Sequence, residues 1–258
     1  MTPDSAATGP HHSDARRFDA VICDLDGCLA PERHDPFDAE RLLEVRRHND
    51  LAQERGDRPV VTLCTGRPIG FVEAVCRKIG NTTLPAMAEN GVWLWHPDTN
   101  AFDRDPEITP GVLDQIAAAK RWVAHAFPGV SIQPGKDCSF SLLPRSPDEI
   151  PEMEGRLREE FEANEWLLRV SSTHLWINCD LTFVDKGTAI DRFCAHTGLA
   201  KERLAGIGDT AHDERIASRV GFFACPANAR DEIKRHADYV SELEEVRGVL
   251  DILDRLSG

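Results

Sequence analysis

The sequence predicts an α/β fold with a mainly parallel sheet, into which a second, α+β unit is inserted. Apolar, β-prone segments alternate with helical segments near both ends of the chain, which is typical of a parallel sheet with helices on its faces. All five tryptophans lie between residues 93 and 176, where the pattern changes, and this clustering indicates a separate packing unit. A chain of 258 residues is long enough for one large domain or two modest ones.

The composition is that of a globular protein with an acidic surface. Hydrophobic residues make up 41% of the chain and charged residues 29%, as in ordinary globular domains. The chain has 30 basic and 44 acidic residues and a formal charge of −14, so we expect no nucleic acid partner. No apolar run approaches the roughly 18 residues of a membrane span, and we expect no membrane partner. A local cationic pocket still allows a small phosphorylated partner.

The N-terminal residues and the cysteines are used to predict the cellular compartment of the protein. Residues 1–17 are predicted to form a flexible tail, and they lack the pattern of a secretory signal. The eight cysteines contain no Cys-x-x-Cys pair, and several lie in apolar segments, so we expect reduced thiols and a cytoplasmic protein. The oligomeric state is expected to be a monomer or a homodimer.

The first predicted strand ends in an acidic turn, Asp24-Leu25-Asp26-Gly27. Side chains at i and i+2 share one face of a strand, so Asp24 and Asp26 can both project beyond the sheet edge where open α/β folds bind ligands. Two close carboxylates repel each other unless a cation lies between them or one is protonated. The turn is either a magnesium site with a nucleophilic carboxylate or an ordinary acidic turn. Gly27 would let the backbone turn sharply.

The remaining elements follow from apolar periodicity and from helix start and stop signals. The core elements predicted before the insert are helix 38–56, strand 59–64, helix 68–80 and strand 86–88. Those predicted after it are a helix from 186 to about 196, strands 204–209, 220–225 and 237–240, and helix 242–256. The core is therefore discontinuous, comprising residues 18–90 and 181–258.

Residues 91–180 are predicted to form the inserted α+β unit, with two helices and about four strands. One helix begins at Thr109-Pro110 and the other at Ser146-Pro147. Apolar residues keep one face of the first helix: Val112, Ile116, Ala119, Val123 and Phe127. Alternating polarity at 138–142 and 174–178 predicts antiparallel strands.

Polar side chains at four strand ends or helix starts can meet at one sheet edge: Asp24/Asp26, Thr65, Lys186 and Asp209/Asp213. Phosphoryl transfer through a phosphorylated aspartate requires such a set. It needs a carboxylate nucleophile and a magnesium ion held by oxygens. It also needs a lysine and a hydroxyl for the phosphoryl oxygens, and a second acid/base for the leaving group and water.

The motifs Asp24-x-Asp26-Gly27, Thr65-Gly66-Arg67, Lys186-Gly187 and Gly208-Asp209-x-x-x-Asp213 resemble, in order, the four motifs of haloacid dehalogenase-like (HAD) phosphatases. An insert entered through Glu89-Asn90-Gly91 is similar to the IIB, or Cof-type, capped branch. Within that branch, residues 89–91, 176–178 and 224–229 resemble archaeal-type phosphoglycolate phosphatases, although sugar-phosphate phosphatases and phosphomannomutases share parts of the pattern. The resemblance implies a Rossmann-like core, an α+β cap domain, and Mg²⁺-dependent hydrolysis of a small phosphorylated metabolite.

The resemblance also implies a role for each matching residue. Asp24 would be the nucleophile and Asp26 the general acid/base. Thr65 would hydrogen-bond the transferring phosphoryl group, or serve as a helix cap, and Lys186 would neutralise the phosphoryl charge. The implied magnesium ligands are Asp24, Asp26 through its backbone carbonyl, Asp209, and Asp213, which would ligate the ion or orient a bound water.

Five residues are candidates for substrate contacts: Gly66, Arg67, Asn90, His174 and His212. Arg67 is either a phosphate-side cation or a structural one, and Asn90 could instead satisfy a turn. His174 shares a strand face with Trp176 and Asn178, where the alternative is a buried tryptophan with polar neighbours at its rim. His212 replaces an asparagine common in the branch; it either alters metal preference, pH optimum and substrate orientation or points away.

Two further cap-loop residues, Lys136 and Arg145, could meet a substrate carboxylate or a sugar. Three functions remain open at this point. The first is a phosphatase for 2-phosphoglycolate or another small phosphorylated acid or sugar. The second is a phosphosugar mutase, against which the lack of a basic cluster in 91–180 counts. The third is a non-catalytic phosphometabolite-binding protein, which the HAD motifs oppose.

Overall fold

The computed structural model describes residues 17–32, 35–173 and 175–257. The predicted N-terminal tail, apart from residue 17, and the candidate residue His174 lie outside the described residues. Within them, each helix is too short or too polar to span a lipid bilayer.

The described strands are β1 Ala20–Cys23, β2 Val60–Leu63, β3 Ala86–Ala88, β4 Trp93–His96, β5 Ala101–Arg104, β6 Ser131–Ile132, β7 Phe140–Leu143, β8 Leu168–Ser172, β9 Ile177–Leu181, β10 Leu204–Ile207, β11 Phe222–Cys225 and β12 Tyr239–Val240. The described helices are α1 Ala39–Arg55, α2 Ile69–Lys78, α3 Pro110–Ala126, α4 Ile150–Ala163, α5 Lys186–Thr197, α6 Glu214–Ala217, α7 Asp231–Lys234 and α8 Glu245–Ser257.

The α/β core is built on a parallel sheet, as the alternation of strands and helices predicts. Its strand order is β12-β11-β10-β1-β2, and all four ladders are parallel. A parallel bridge between Cys64 and Met87 continues the sheet from β2 to β3. The chain leaves β1 to one side through β2 and returns to the other through β10. The ends of β1 and β10 therefore lie at the switch point where open α/β sheets bind ligands.

The helix boundaries follow the capping signals in the sequence. The Asp38 carboxylate accepts a hydrogen bond from the Arg41 backbone N–H (3.1 Å) at the start of α1. Gly56 ends that helix in the left-handed conformation, with φ 68°, which glycine adopts without strain. The Asp185 carboxylate caps α5 by accepting from the N–H groups of Gly187 and Thr188. This cap sets Lys186 at the first position of the helix.

The hairpin β4–β5 pairs with strand β3 of the core, whereas the sequence prediction assigned the hairpin to the insert. β4 pairs antiparallel with β3, and the buried side chains of Leu94 and Trp95 pack in the core clusters. Burial of these two side chains against the core explains the difference. We therefore propose that the insert begins after residue 105 and ends with β9, at residue 181 rather than 180.

The insert is a four-stranded antiparallel sheet, of order β6-β7-β9-β8, with α3 and α4 packed on one face through an apolar cluster. The predicted apolar positions Val112, Ile116, Ala119 and Val123 of α3 are buried in that cluster. The predicted strand at 174–178 begins only at Ile177. The Thr173 hydroxyl accepts from the Trp176 N–H (3.0 Å) and holds a turn before the strand.

Candidate active site

Asp24 follows β1 directly and is buried at the C-terminal edge of the core sheet. One carboxylate oxygen accepts a hydrogen bond from the Leu25 N–H (2.7 Å). The other lies 2.8 Å from the Lys186 ammonium. Burial raises the pKa of Asp24 to about 7, although Lys186 acts in the opposite direction. The side chain is thus a desolvated carboxylate with a cation beside it.

Gly27 brings the turn after β1 against Asp209. Its φ of 77° lies in the left-handed region, and a Cβ at this position would lie 2.0 Å from an Asp209 carboxylate oxygen. Both constraints exclude a larger residue here. The Asn228 side chain donates to the Gly27 carbonyl (2.8 Å) and accepts from the Glu245 N–H (2.7 Å). Asn228 therefore supports the turn.

Lys186 joins two buried carboxylates. Its ammonium lies 2.8 Å from an Asp24 oxygen and donates to an Asp213 oxygen at 2.7 Å. Burial by itself would lower the pKa of Lys186, but Asp213 and Asp24 outweigh it and raise that pKa well above its usual value. Lys186 is therefore charged, and its side chain is only 7% exposed.

Asp213 is held by hydrogen bonds, whereas Asp209 keeps a free oxygen. One Asp213 oxygen binds Lys186, and the other accepts from the N–H groups of Asp209 and Thr210 (3.0 Å each) and from the Thr210 hydroxyl (3.2 Å). Asp209 Oδ1 is buried and accepts no hydrogen bond from the described residues. Burial, followed by the charges of Asp24 and Asp213, raises the pKa of Asp209 to about 9.

The acidic cluster fits a divalent cation. Ligand atoms of Asp24, Asp209 and Asp213 lie within 4.8 Å of one another, and hard cations such as Mg²⁺ prefer oxygen ligands. A buried carboxylate oxygen without a donor is costly unless a positive charge faces it. The buried Asp209 oxygen without a hydrogen-bond donor is therefore the strongest support for a cation site here.

The loop after β2 carries Thr65 and Gly66 to the same edge of the sheet. The Thr65 N–H donates to the Met87 carbonyl (3.1 Å), and the Thr65 carbonyl accepts from the Asn90 N–H (3.0 Å). The Thr65 hydroxyl accepts from the Arg67 N–H at 3.3 Å. A Cβ on Gly66 would lie 3.3 Å from the Asn90 side-chain oxygen. The Asn90 amide donates to Asp180 of β9 (3.3 Å), so Asn90, which follows β3, links this loop to the cap.

Arg67 holds the second carboxylate of the acidic turn. Its Nε donates to Asp26 Oδ2 at 2.8 Å, and its Nη2 donates to Asp26 Oδ1 at 2.5 Å. This two-pronged contact orients the carboxylate plane. Asp26 raises the pKa of Arg67, and the pair is only partly exposed.

A cavity of about 180 Å³ lies between the core site and the polar face of the cap sheet. Its core lining includes the predicted residues Asp24, Asp26, Thr65, Gly66, Arg67, Asn90, Lys186, Asp209 and His212. Its cap lining includes Gln133, Lys136, Ser141, Thr173, Leu175, Trp176 and Asn178. Asp213 lies behind this lining.

Lys136 and Arg145, which the sequence offered as equal candidates for a substrate contact, lie at different places on the cap. Lys136 lines the cavity. Arg145 is exposed on another side of the cap, where its guanidinium donates to the Pro128 carbonyl (2.7 Å). His212 lines the cavity while part of its side chain is exposed to solvent, and partial burial together with the charge of Lys186 lowers its pKa.

Several cap-side groups were missed in the sequence prediction: Gln133, Ser141 and Thr173. Only the fold brings them to the site. The available signal was the alternation along β7 and β9, where Ser141, Asn178 and Asp180 are the polar positions.

Glu89 of the predicted Glu89-Asn90-Gly91 entry motif links the core to the cap, a contact that the sequence analysis did not predict. Its buried carboxylate accepts hydrogen bonds from the N–H groups of Asp137 and Cys138 (3.1 and 3.2 Å) and from the Ser139 hydroxyl (3.0 Å). Burial raises the pKa of Glu89, and these three donors oppose that shift. One core side chain thus fixes the cap loop that leads into β7.

We expect Glu89→Gln to lower the free energy of unfolding by about 1–3 kcal/mol, because an amide N–H₂ would face backbone donors and leave them unsatisfied. Urea denaturation followed by circular dichroism measures the change. The exposed Glu159→Gln is the matched control and should lie within about 0.5 kcal/mol of wild type. Equal stability of all three proteins would contradict the role of Glu89.

Comparison with known proteins places this geometry in a family. The family profile for haloacid dehalogenase-like hydrolases matches residues 142–253. A phosphoglycolate phosphatase of Methanothermobacter thermautotrophicus is 31% identical over 93% of this chain and 99% of its own length. Phosphoglycolate phosphatase 1 of Saccharolobus solfataricus is 28% identical over 92% of this chain and 94% of its own.

A solved HAD/COF-like hydrolase from Plasmodium vivax has the same fold, with a TM-score of 0.69 and 16% identity over 93% of this chain and 98% of that structure. The family profile spans the motifs of Lys186 and Asp209, and the two phosphatase relatives match more than nine-tenths of the chain. The chain therefore belongs to the haloacid dehalogenase-like hydrolase family and is one of its phosphatases.

Proposed function

We propose that the protein is a Mg²⁺-dependent phosphatase that hydrolyses a small phosphorylated metabolite through a phosphorylated Asp24. The observation that carries this proposal is the pairing of two features at one sheet edge. A buried Asp24 carboxylate faces the Lys186 ammonium, and a buried Asp209 oxygen beside it has no donor among the described residues.

The cation would be held by carboxylate oxygens of Asp24 and Asp209 and by the backbone carbonyl of Asp26. When bound, Mg²⁺ neutralises charge between the attacking carboxylate and the phosphoryl oxygens. Because all the hydrogen bonds of Asp213 go to Lys186 and to the 209–210 backbone and hydroxyl groups, we propose that it positions Asp209 and Lys186.

In the first step, an Asp24 oxygen attacks phosphorus, and the bond from phosphorus to the leaving oxygen breaks. Lys186 and the Thr65 hydroxyl stabilise the charge on the phosphoryl oxygens. Asp26 donates the proton that the leaving alkoxide needs. In the second step, Asp26 accepts a proton from water as that water attacks phosphorus and frees Asp24.

Arg67 is proposed to hold the Asp26 carboxylate in place for these transfers. The bidentate contact between the two side chains supports this role.

The cavity supports a small substrate. Its volume of about 180 Å³ is below the roughly 300–1,000 Å³ typical of sites for drug-sized ligands. The cap sheet covers one side of the cavity, and closure of the cap over bound substrate would exclude bulk water from the reacting atoms. The relatives named as phosphoglycolate phosphatases support 2-phosphoglycolate or a similar compound, with a small sugar phosphate as the other substrate class.

Removal of the metal tests the proposal directly. We expect EDTA to abolish hydrolysis of p-nitrophenyl phosphate and Mg²⁺ to restore it. Mg²⁺ should also raise the melting temperature of the metal-free protein, because an ion that binds only the native state stabilises it. This shift should be absent in Asp209→Asn. Full turnover in EDTA, or an equal shift in Asp209→Asn, would overturn the proposed metal site.

A further inference from the structure

Lys136 enters the cavity from the cap, opposite the core residues proposed for phosphoryl transfer. It lies in the loop between β6 and β7 and is half-buried. Its ammonium donates to the Ser141 hydroxyl at 2.7 Å, and that hydroxyl donates to the Asn178 side-chain oxygen at 2.7 Å. All three side chains line the cavity. They form one polar patch, which we call the cap patch.

The loop that carries Lys136 lies against the core on both sides of the lysine and is hydrogen-bonded to it on one side. Before it, Gly135 lies close to Pro68, so that a Cβ there would be 3.5 Å from the proline Cβ. After it, the N–H groups of Asp137 and Cys138 bind the Glu89 carboxylate. These contacts hold the cap patch at a set position relative to the loop of Thr65 and Arg67.

The cation of the cap patch has no carboxylate at ion-pair distance, in contrast to the other cavity cations. Among the described lining residues, Arg67 pairs with Asp26, and Lys186 pairs with Asp24 and Asp213. Lys136 makes no ion pair with a described residue. Burial lowers its pKa, while Asp180 and Glu89 raise it from beyond ion-pair distance. An anionic ligand group would supply the missing partner.

We propose that the cap patch binds a carboxylate at the end of the substrate remote from the phosphoryl group, with Lys136 as the specificity-determining residue. The preferred substrates are then small phosphorylated carboxylic acids of the 2-phosphoglycolate kind. This inference rests on the proposed function.

The chemistry of the cap patch favours a carboxylate over a second phosphate or a sugar. A phosphate carries up to two charges and three acceptor oxygens, which are typically matched by a cluster of cations. The cap patch offers one ammonium with a neutral hydroxyl and amide. A neutral sugar would leave the ammonium without a counter-charge, which is unfavourable for a partly buried cation.

The test compares kcat/KM for two substrates of equal length, 2-phosphoglycolate and 2-hydroxyethyl phosphate, which ends in a hydroxyl. Wild type should prefer the acid. Lys136→Met should reduce the ratio of the two kcat/KM values about 10- to 100-fold, the range for a lost hydrogen bond to a charged group. Lys136→Arg should keep much of the preference. Arg145→Met, which removes an exposed cap cation outside the cavity, should leave the ratio unchanged.

A ratio in Lys136→Met equal to that of wild type would overturn the inference, as would a wild-type preference for 2-hydroxyethyl phosphate or glucose 6-phosphate. Turnover of p-nitrophenyl phosphate by the wild-type protein is measured separately. Its absence would count against the proposed function and not against the role of Lys136. Binding is measured without turnover, by calorimetry of 2-phosphoglycolate with Asp24→Asn. Adding Lys136→Met to that protein should weaken binding about 10- to 100-fold, and unchanged binding would also overturn the inference.

Discussion

Replacing Asp24 with asparagine is expected to reduce turnover of p-nitrophenyl phosphate by about 10⁴-fold or more, a loss of the size seen when an enzyme loses its nucleophile. Asparagine has nearly the same shape but a neutral amide, which cannot attack phosphorus. The contact between Lys186 and Asp213 (2.7 Å) stays in place. Steady-state kinetics in saturating Mg²⁺ measures the effect.

The fold of Asp24→Asn should be intact, which circular dichroism checks. The matched control is Asp98→Asn, an exposed carboxylate in the turn between β4 and β5, and its turnover should equal that of wild type. Turnover by Asp24→Asn within tenfold of wild type would exclude Asp24 as the nucleophile.

Replacing Lys186 with methionine is expected to affect both stability and activity. The buried carboxylates of Asp24 and Asp213 would lose their shared cation. Breaking a buried pair in this way costs about 3–5 kcal/mol of unfolding free energy. The loss of a charge that stabilises the phosphoryl oxygens should also reduce kcat by about 10²- to 10³-fold. Urea denaturation and steady-state kinetics separate the two effects.

Mg²⁺ should recover part of the stability lost in Lys186→Met, because a bound cation also neutralises the acidic cluster, but it should not recover the activity. The exposed Lys78→Met removes the same charge from the end of α2 and should change neither quantity. If Lys186→Met were as stable and as active as Lys78→Met, the ion pairs of Lys186 would contribute neither to stability nor to catalysis.

The core could be predicted from the sequence because its signals are local. The cap at Asp38 and the left-handed Gly56 bound α1, and the acidic turn marks the end of β1. The sequence prediction assigned the hairpin β4–β5 to the insert, whereas β4 pairs with β3 and we propose that the hairpin is part of the core. Tryptophan clustering says that Trp95 is buried but not against which partner, and here the partner is the core.

The core half of the candidate site was predictable for the same reason. Residues at the ends of parallel strands meet at one edge, so motifs far apart in the chain, such as those of Asp24 and Asp209, can be brought together by topology alone. Their ligand atoms lie within 4.8 Å of each other in the cluster with Asp213. Their roles in catalysis stay predictions.

The cap half could not be predicted, because its contacts depend on how two units are docked. The sequence offered Lys136 and Arg145 as equal candidates, and only the fold shows that Lys136 lines the cavity. The hydrogen bonds between the Glu89 carboxylate and the loop of residues 137–139 join residues about fifty positions apart. No local sequence pattern predicts them. The pairing of Arg67 with Asp26 likewise depends on how the loop after β2 packs against the turn after β1.

The most direct test of the central claim is to trap the phosphoryl group on the protein. Enzyme is mixed with ³²P-labelled substrate and Mg²⁺, quenched with acid within milliseconds, treated with borohydride and mapped by peptide mass spectrometry. We predict a transient label and a residue at position 24 reduced to homoserine, both absent without Mg²⁺ and in Asp24→Asn. Label on a different residue, or full turnover with residue 24 never modified, would contradict the account.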